Sequence, residues 1–115
     1  SMIRELHLAG ATTPITLFYS NRYVEDAVYQ EEFETLAKEW PLFTFVPTLT
    51  GEDIPSIWKG ETGRITTAML QKYLPDLQRP VYLMCGPNSF MDTLKQILEA
   101  EGVDVKTKLK KELFG

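Results

Sequence analysis

The chain has 115 residues, of which 43% are hydrophobic and 24% are charged, and its formal net charge is -4. This length fits a single domain with a buried core, and the acidic balance argues against a nucleic-acid partner, which requires a basic surface. A single cysteine excludes an internal disulfide, and no cluster of Cys and His could hold a structural zinc, so we expect no metal site and a reducing, cytoplasmic compartment.

The first half of the chain predicts two helix–strand units. Apolar residues at positions 2, 3, 6, 8 and 9 predict a helix that Gly10 ends. Residues 15–20 are β-branched and aromatic and predict a buried strand. A polar loop over 21–26 then leads to a helix over 29–40, which Pro41 ends. Residues 42–46 predict a second strand, which Pro47 either ends or holds at a sheet edge.

The second half continues the alternation of strands and helices. Residues 48–64 are rich in turn residues and predict a loop, and a short helix begins at Thr66 or Thr67. A strand over 81–84, a long helix over 88–100 and an alternating strand over 103–107 follow. Strands that alternate with helices in this way predict an α/β fold with a doubly wound parallel sheet.

The segment from Val81 to Met91 contains the clearest functional signal. An apolar strand ends at Cys85, Gly86-Pro87 breaks it, and a helical pattern starts at once. Ligands of open α/β sheets bind outside the carboxyl ends of the strands, where a helix N-terminus offers unpaired N–H groups. We expect Cys85 at this edge, with Gly86 allowing a ligand to approach the backbone closely. The alternative is a buried structural cysteine.

Several motifs, in this order and spacing, resemble the NAD(P)-binding (C-terminal) domain of the ferredoxin–NADP⁺ reductase superfamily. They are Leu17-Phe18-Tyr19-Ser20-Asn21-Arg22, Glu31-Glu32-Phe33, Thr48-Leu49-Thr50, Trp58-Lys59-Gly60-Glu61-Thr62-Gly63-Arg64-Ile65, Cys85-Gly86-Pro87 and a terminal aromatic at Phe114. In that family the domain opens with a strand and a glycine-rich turn, and a flavin-binding barrel precedes it. The resemblance therefore predicts that residues 1–115 form a partial, Rossmann-like NAD(P)-binding domain without its first strand. The missing strand would leave strand edges unpaired and favour a homodimer; the alternative is a native short protein of similar design.

The resemblance also implies site residues. Cys85 would lie beside the nicotinamide, as a positioning contact in the catalytic step and not as a nucleophile. Thr48 and Thr50 would contact the adenosine end. The polar side chains of Ser20, Asn21 and Arg22 after the first strand suit ribose hydroxyls and phosphates; the alternative is a turn at Asn21 followed by a solvated Arg22. Asn88 and Ser89 first serve to cap the last helix. The expected cofactor contacts are Ser20, Asn21, Arg22, Thr48, Thr50, Gly86, Pro87, Asn88, Phe90 and Phe114.

Nucleotide preference is read from the residues after Thr50. Members that bind a 2′-phosphate tend to have an arginine at the position of Gly51, and here Glu52 and Asp53 follow. Carboxylates repel a 2′-phosphate, so NADH is slightly favoured over NADPH, although Arg22 works against this preference. Arg64 either reaches the pyrophosphate or pairs with Glu61.

The resemblance implies a flavoprotein oxidoreductase that passes hydride from NAD(P)H to FAD and then electrons to an acceptor protein or small acceptor. It would be cytoplasmic, or the cytoplasmic part of a membrane-associated reductase. The FAD would be bound by the upstream domain, so we expect this chain alone to bind no flavin and to oxidise no NAD(P)H. The alternative is a non-enzymatic α/β nucleotide-binding or interaction module.

Overall fold

In the computed structural model, residues 2–10 and 12–111 are described, and they form a parallel sheet with helices on both faces. The helices are α1 Met2–Leu8, α2 Gln30–Glu39, α3 Thr67–Tyr73, α4 Asn88–Ala100 and α5 Val105–Lys108, with a 3-10 turn at Val24–Asp26. The strands are β1 Ile15–Asn21, β2 Phe43–Leu49, β3 Glu61–Thr62, β4 Val81–Cys85 and β5 Leu109–Lys111.

The five strands are ordered β3-β2-β1-β4-β5, and every neighbouring pair is parallel. This confirms the predicted doubly wound parallel sheet. No gap is left for a missing strand, because β1 and β4 pair directly from Ile15↔Val81 to Tyr19↔Cys85. The expectation of unpaired edges inside the sheet is therefore wrong. In the described part of the chain, the outer strands β3 and β5 are the sheet edges.

Alternation along the strands builds a separate apolar core on each face of the sheet. Phe18 and Tyr82 point to the face that α3 and α4 cover, where Leu70, Leu94 and Leu98 are fully buried. Leu17, Tyr19 and Leu83 point to the other face, and they pack with Ile3 of α1 and with Phe33 and Leu36 of α2. Every residue of β1 from Ile15 to Ser20 is buried, as expected for a strand covered on both faces.

The end of the described chain differs from the sequence prediction. Residues 103–107 do not form a strand, because the Asp104 side chain accepts a hydrogen bond from the Lys106 N–H and begins the short helix α5. Thr107 Oγ1 also bonds Asp104 Oδ2 at 3.1 Å. The last strand is β5, which pairs with β4 only after this turn. The hydrogen bonds of the Asp104 side chain thus favour a helical turn over the strand that the alternating pattern predicts.

Strand β2 does not stop at Pro47 but runs on to Leu49. Its outer neighbour β3 lies within the segment that the sequence predicted to be only loop, and it pairs only with Thr48 and Leu49. No residue of β3 therefore pairs with Pro47. Because proline has no backbone N–H to donate to a neighbouring strand, it is tolerated at this position of β2, which is unpaired on the β3 side.

Candidate functional site

A cavity of about 320 Å³ opens at the carboxyl edge of the sheet. Its walls come from the end of β1, the residue after β2, the segment after β3 and the first turns of α4. We call it the carboxyl-edge cavity; its lining residues are Ser20, Thr50, Gly63, Arg64, Ile65, Pro87, Ser89, Phe90 and Thr93. Its volume is within the range of ligand pockets, roughly 300–1,000 Å³.

Backbone hydrogen bonds hold the ends of β1 and β2 together beside this cavity. The Thr50 N–H donates to the Asn21 carbonyl at 3.0 Å, and the Gly51 N–H donates to the Arg22 carbonyl at 2.7 Å. A Cβ atom added at Gly51 would lie 2.4 Å from the Arg22 carbonyl oxygen, so no side chain fits at this position unless the backbone moves. The two strand ends therefore form one rigid wall.

Gly86 connects β4 to α4 and lies against the floor of the cavity. A Cβ atom at Gly86 would lie 2.9 Å from both Ser20 Cβ and Phe90 Cδ2. The space that a side chain at this position would need is thus filled by the protein's own atoms, and Gly86 is required for the contact between β1 and the start of α4. Close approach of a ligand to the Gly86 backbone stays a prediction.

We expect Gly86→Ala to destabilise the fold by about 1–3 kcal/mol, because the added methyl group overpacks a closed site. Urea denaturation followed by circular dichroism measures this change in the free energy of unfolding. Asn88→Ala is the matched control, since Asn88 is exposed two residues further on and a surface substitution usually changes stability by less than about 0.5 kcal/mol. Equal midpoints for the two variants would contradict the packing role of Gly86.

Helix α4 begins at the cavity without a side-chain cap. Its N-cap residue is Pro87, and in the described part of the chain no side chain accepts a hydrogen bond there. The cap role predicted for Asn88 and Ser89 is therefore wrong. A helix of 13 residues with open N–H groups carries a partial positive charge at this end, which attracts anions.

Two buried hydroxyl groups near the cavity lack a hydrogen-bond partner among the described residues. They are Ser20 Oγ and Thr48 Oγ1, on residues that are 3% and 1% exposed. Ser20 and Thr48 are register partners in β1 and β2, so both side chains lie on the same face of the sheet. Because an unpaired buried polar group costs about 1–3 kcal/mol, the hydroxyl of Ser20, which lines the cavity, favours a bound partner, whereas Thr48 does not line the cavity.

Arg64 borders the cavity and is not paired with Glu61, so that predicted alternative is wrong. Glu61 Oε2 instead accepts hydrogen bonds from Lys72 Nζ at 2.8 Å and from the Tyr73 hydroxyl at 2.7 Å. These bonds lower the pKa of Glu61, while burial and the adjacent carboxylate raise the pKa of Tyr73 to about 12. Arg64 is exposed and has no ion pair among residues 2–10 and 12–111, so its charge is available to a ligand.

Other residues predicted to bind the cofactor lie outside the cavity. The Arg22 guanidinium lies 5.4 Å from the centroid of the Tyr23 ring. Asn21 is half-buried at the end of β1 and Asn88 is exposed at the start of α4. Phe114 lies outside the described residues. Of the predicted contacts, the structure thus brings four to the cavity, namely Ser20, Thr50, Pro87 and Phe90.

Cys85 is half-buried at the end of β4, and its side chain lies on the opposite face of the sheet from Phe90. It packs against the core cluster that contains Leu83 and Tyr19. It does not line the carboxyl-edge cavity. A ligand that contacts both Cys85 and Ser20 must therefore cross the ends of the strands beside Gly86.

Five cavity residues are not in the list of expected cofactor contacts: Gly63, Arg64, Ile65, Ser89 and Thr93. Of these, Arg64 was predicted to reach the pyrophosphate in one of two alternatives. The first three belong to one of the motifs that the sequence did identify. Thr93 lies one helical turn after Ser89, and its hydroxyl donates to the Ser89 carbonyl at 2.9 Å. Helical spacing from the start of α4 is the signal that would have indicated Thr93.

A larger cavity of about 600 Å³ lies elsewhere, between α2, β2 and residues 55–60. Gln30, the first residue of α2, lines it, but no residue at the carboxyl end of a strand does. Within the described ranges, no group of three or more His, Cys, Asp or Glu side chains is placed to hold a metal ion. No helix among those residues has the length and apolar character needed to cross a membrane.

A doubly wound parallel sheet with a cavity at its carboxyl edge and an uncapped helix N-terminus is typical of nucleotide-binding α/β domains. Residues 1–96 match the family model described as the oxidoreductase NAD-binding domain, and the chain belongs to this family. The predicted family resemblance is therefore confirmed.

The relatives are oxidoreductases. The chain is 32% identical to a component of the Na(+)-translocating NADH-quinone reductase of Klebsiella pneumoniae, over 89% of the chain and 25% of that protein. It is 35% identical to NADH-cytochrome b5 reductase 1 of Pyricularia oryzae, over 82% of the chain and 30% of that protein. The fold matches the cytochrome b5 reductase domain of Ulva prolifera nitrate reductase with a TM-score of 0.74, at 22% identity over 96% of the chain and 42% of that structure. The chain thus spans about a quarter to a third of the length of the curated relatives it matches.

Proposed function

We propose that this chain is the nicotinamide-binding domain of a flavoprotein reductase that passes hydride from NAD(P)H to FAD and then electrons to an acceptor. The observation that carries the proposal is the carboxyl-edge cavity, which is lined by the first turns of α4, by Arg64 and by Ser20, whose hydroxyl is buried without a partner among the described residues. Family membership supports an oxidoreductase over a non-enzymatic binding module, because the relatives are reductases and components of reductases.

The residues present suit a dinucleotide. Arg64 and the first N–H groups of α4 bind the negatively charged phosphates. The hydroxyls of Ser20 and Thr50 hydrogen-bond ribose, and Phe90 supplies an apolar wall. The bound nicotinamide supplies the hydride, and this chain binds and orients it without a general base.

For the nucleotide preference, we propose NADH over NADPH. Gly51 has no room for the arginine that would bind a 2′-phosphate, since a Cβ atom there would contact Arg22 and Tyr23. The next two residues, Glu52 and Asp53, are exposed carboxylates that repel a phosphate. The dissociation constants of the two nucleotides, measured side by side at one ionic strength, test this preference.

In the complete reductase, we propose that Cys85 lies beside the nicotinamide and that Phe114 lies near the cofactor. A flavin domain would bind FAD and pass electrons to an acceptor protein or a small acceptor. We place the reductase, or the part that contains this chain, in the cytoplasm. A homodimer through strand edges would have to use β3 or β5, because β1 and β4 are paired with each other.

We expect the chain to bind NADH saturably and with one site, and to bind no stoichiometric FAD. Titration of the chain into NADH, followed by nicotinamide fluorescence and by calorimetry, measures the dissociation constant. ADP-ribose should compete, because it carries the phosphate and ribose groups that the cavity suits, whereas nicotinamide mononucleotide should compete less well. If the chain shows no saturable binding of NADH at millimolar NADH concentrations, the proposed function is wrong.

A further inference from the structure

The Glu61 cluster consists of Glu61, Lys72 and Tyr73, and none of these three residues lines the carboxyl-edge cavity. Glu61 is the first residue of β3 and precedes the cavity residue Arg64 by three positions. Its carboxylate bonds two side chains at the end of α3, one of them a phenol whose ring is half-buried. The cluster thus connects helix α3 to the segment that carries Arg64.

Before Ile65, which is buried in the core cluster of α3 and α4, that segment has few other attachments. Strand β3 has two residues and pairs only with Thr48 and Leu49. After it, the Gly63 N–H donates to the Leu49 carbonyl at 3.0 Å. Gly63 itself has a positive φ of 78°, and within the described structure a Cβ atom there would meet nothing within 4 Å. Two-residue pairing is marginal by itself, so side-chain anchors decide how well this segment is ordered.

Glu61 supplies such anchors from both its side chain and its backbone. The carboxylate accepts from Lys72 and Tyr73, and the backbone carbonyl accepts from the Trp58 indole N–H at 3.0 Å. The Glu61 side chain is only 15% exposed, so its hydrogen bonds are partly shielded from water. Charge-assisted hydrogen bonds in this setting are stronger than neutral ones.

We propose that Glu61 is a positioning residue for nucleotide binding, which acts by holding Gly63 and Arg64 in place as the wall of the carboxyl-edge cavity. The inference rests on the proposed function, since it concerns the same cavity. Glu61 itself does not line the cavity. Its effect on affinity must therefore pass through the residues that follow it.

Whether the loss of Glu61 weakens or strengthens nucleotide binding distinguishes a positioning role from a simple electrostatic one. A dinucleotide is an anion, so removing a nearby negative charge would by itself strengthen binding. If Glu61 holds the wall in place, its removal weakens binding instead, because the ligand must then order the loosened segment. Ordering the backbone of a single residue costs free energy on the order of a tenfold change in affinity.

We expect Glu61→Ala to raise the dissociation constant of NADH about tenfold, or ~1.4 kcal/mol. Glu39→Ala is the matched control, because Glu39 is an exposed carboxylate at the end of α2 with no ion pair in the described ranges. It should leave the affinity unchanged or raise it slightly. Glu61→Gln should bind nearly as well as the wild type, since its amide oxygen still accepts from Tyr73.

Two further measurements test whether Glu61 acts through its neighbours. In a double-mutant cycle, Glu61→Ala should have little additional effect on a chain that already carries Arg64→Ala. Without any nucleotide, hydrogen exchange of the Gly63 amide should become faster in Glu61→Ala, whereas exchange of the Tyr82 amide in β4 should not change.

These measurements distinguish failure of the inference from failure of the proposed function. If neither the wild type nor Glu39→Ala binds NADH, the proposed function fails, and Gly63 exchange still reports on the anchor. If the wild type binds and Glu61→Ala binds equally or more tightly, the positioning role is overturned. Full additivity of the Glu61 and Arg64 substitutions would also overturn it.

Discussion

Arg64→Glu is expected to weaken NADH binding by ~100-fold. Hydrogen bonds that involve charged groups contribute about 1.5–3 kcal/mol each, and about 1.4 kcal/mol corresponds to a tenfold change in affinity. The substitution removes such bonds and also places a carboxylate where Arg64 faces the cavity and the open end of α4. The dissociation constant from nicotinamide fluorescence measures the loss.

Two arginines give matched controls for this charge reversal. Arg79→Glu changes the net charge equally, but Arg79 lies in the turn before β4, at the amino end of the sheet. We expect its effect on binding to be small and to disappear at high salt, since it acts only at long range. Arg22→Glu should have an intermediate effect, because Arg22 lies over the Tyr23 ring outside the cavity. Equal losses in all three variants would show a general charge effect and contradict a phosphate contact at Arg64.

Cys85→Ser in the complete reductase is expected to slow hydride transfer to the flavin by ~10²-fold, because a displacement of about 1 Å from the reactive geometry has an effect of this size. Nucleotide affinity should change little, since in the proposed binding mode the phosphates and ribose lie at the carboxyl-edge cavity on the other face of the sheet. Stopped-flow measurement of flavin reduction gives the rate, and a nucleotide titration of the same variant gives the affinity.

The same variant tests the alternative of a structural cysteine. Cys85 packs against the core cluster of α1 and α2, so a purely structural role predicts a lower melting temperature with unchanged kinetics of the folded enzyme. Met84→Leu is the control, because Met84 precedes Cys85 in β4 but packs with the other core cluster. A volume-conserving swap of this kind usually costs less than about 1.5 kcal/mol and should leave flavin reduction unchanged. Normal flavin reduction in Cys85→Ser would refute a nicotinamide contact.

The fold was predictable where the signal is regular. Strand β1 is buried on both faces, which requires its continuous β-branched and aromatic run, and helix α4 is buried on one face, which requires its helical period. Both elements form as predicted. Ser20 was predictable as a residue of this edge because the carboxyl ends of parallel strands meet there, and Thr50 was indicated by the family resemblance; both line the cavity. The motif around Gly63 and Arg64 indicated the family, and a pyrophosphate contact was one of two alternatives for Arg64, but the motif did not show that Gly63 and Ile65 also line the cavity.

Local competition explains the elements that were wrong. The alternation over 103–107 satisfies a strand pattern, but the Asp104 carboxylate accepts a backbone N–H two residues on and turns the chain. Pro87 occupies the N-cap position of α4, so the polar residues after it fall inside the helix. Alternation along β4 correctly places Cys85 on the same face of the sheet as Leu83. The face on which the cavity opens depends on how α3 and α4 pack across the sheet, and the alternation of residues along a strand does not reveal this packing.

The uncapped start of α4 and the buried hydroxyls of Ser20 and Thr48 also have a thermodynamic consequence. Each of these groups lacks a partner within the described protein. The free energy of unfolding of the ligand-free domain is therefore lower than it would be if the helix were capped and the hydroxyls were hydrogen-bonded. A ligand that satisfies these groups binds only the folded chain, and it therefore shifts the unfolding equilibrium by about 2.7 kcal/mol at a hundred times its dissociation constant. Folding and binding are therefore linked. A higher concentration of the nucleotide lowers the fraction of unfolded chain, and it thereby slows the proteolysis of the domain in the cell.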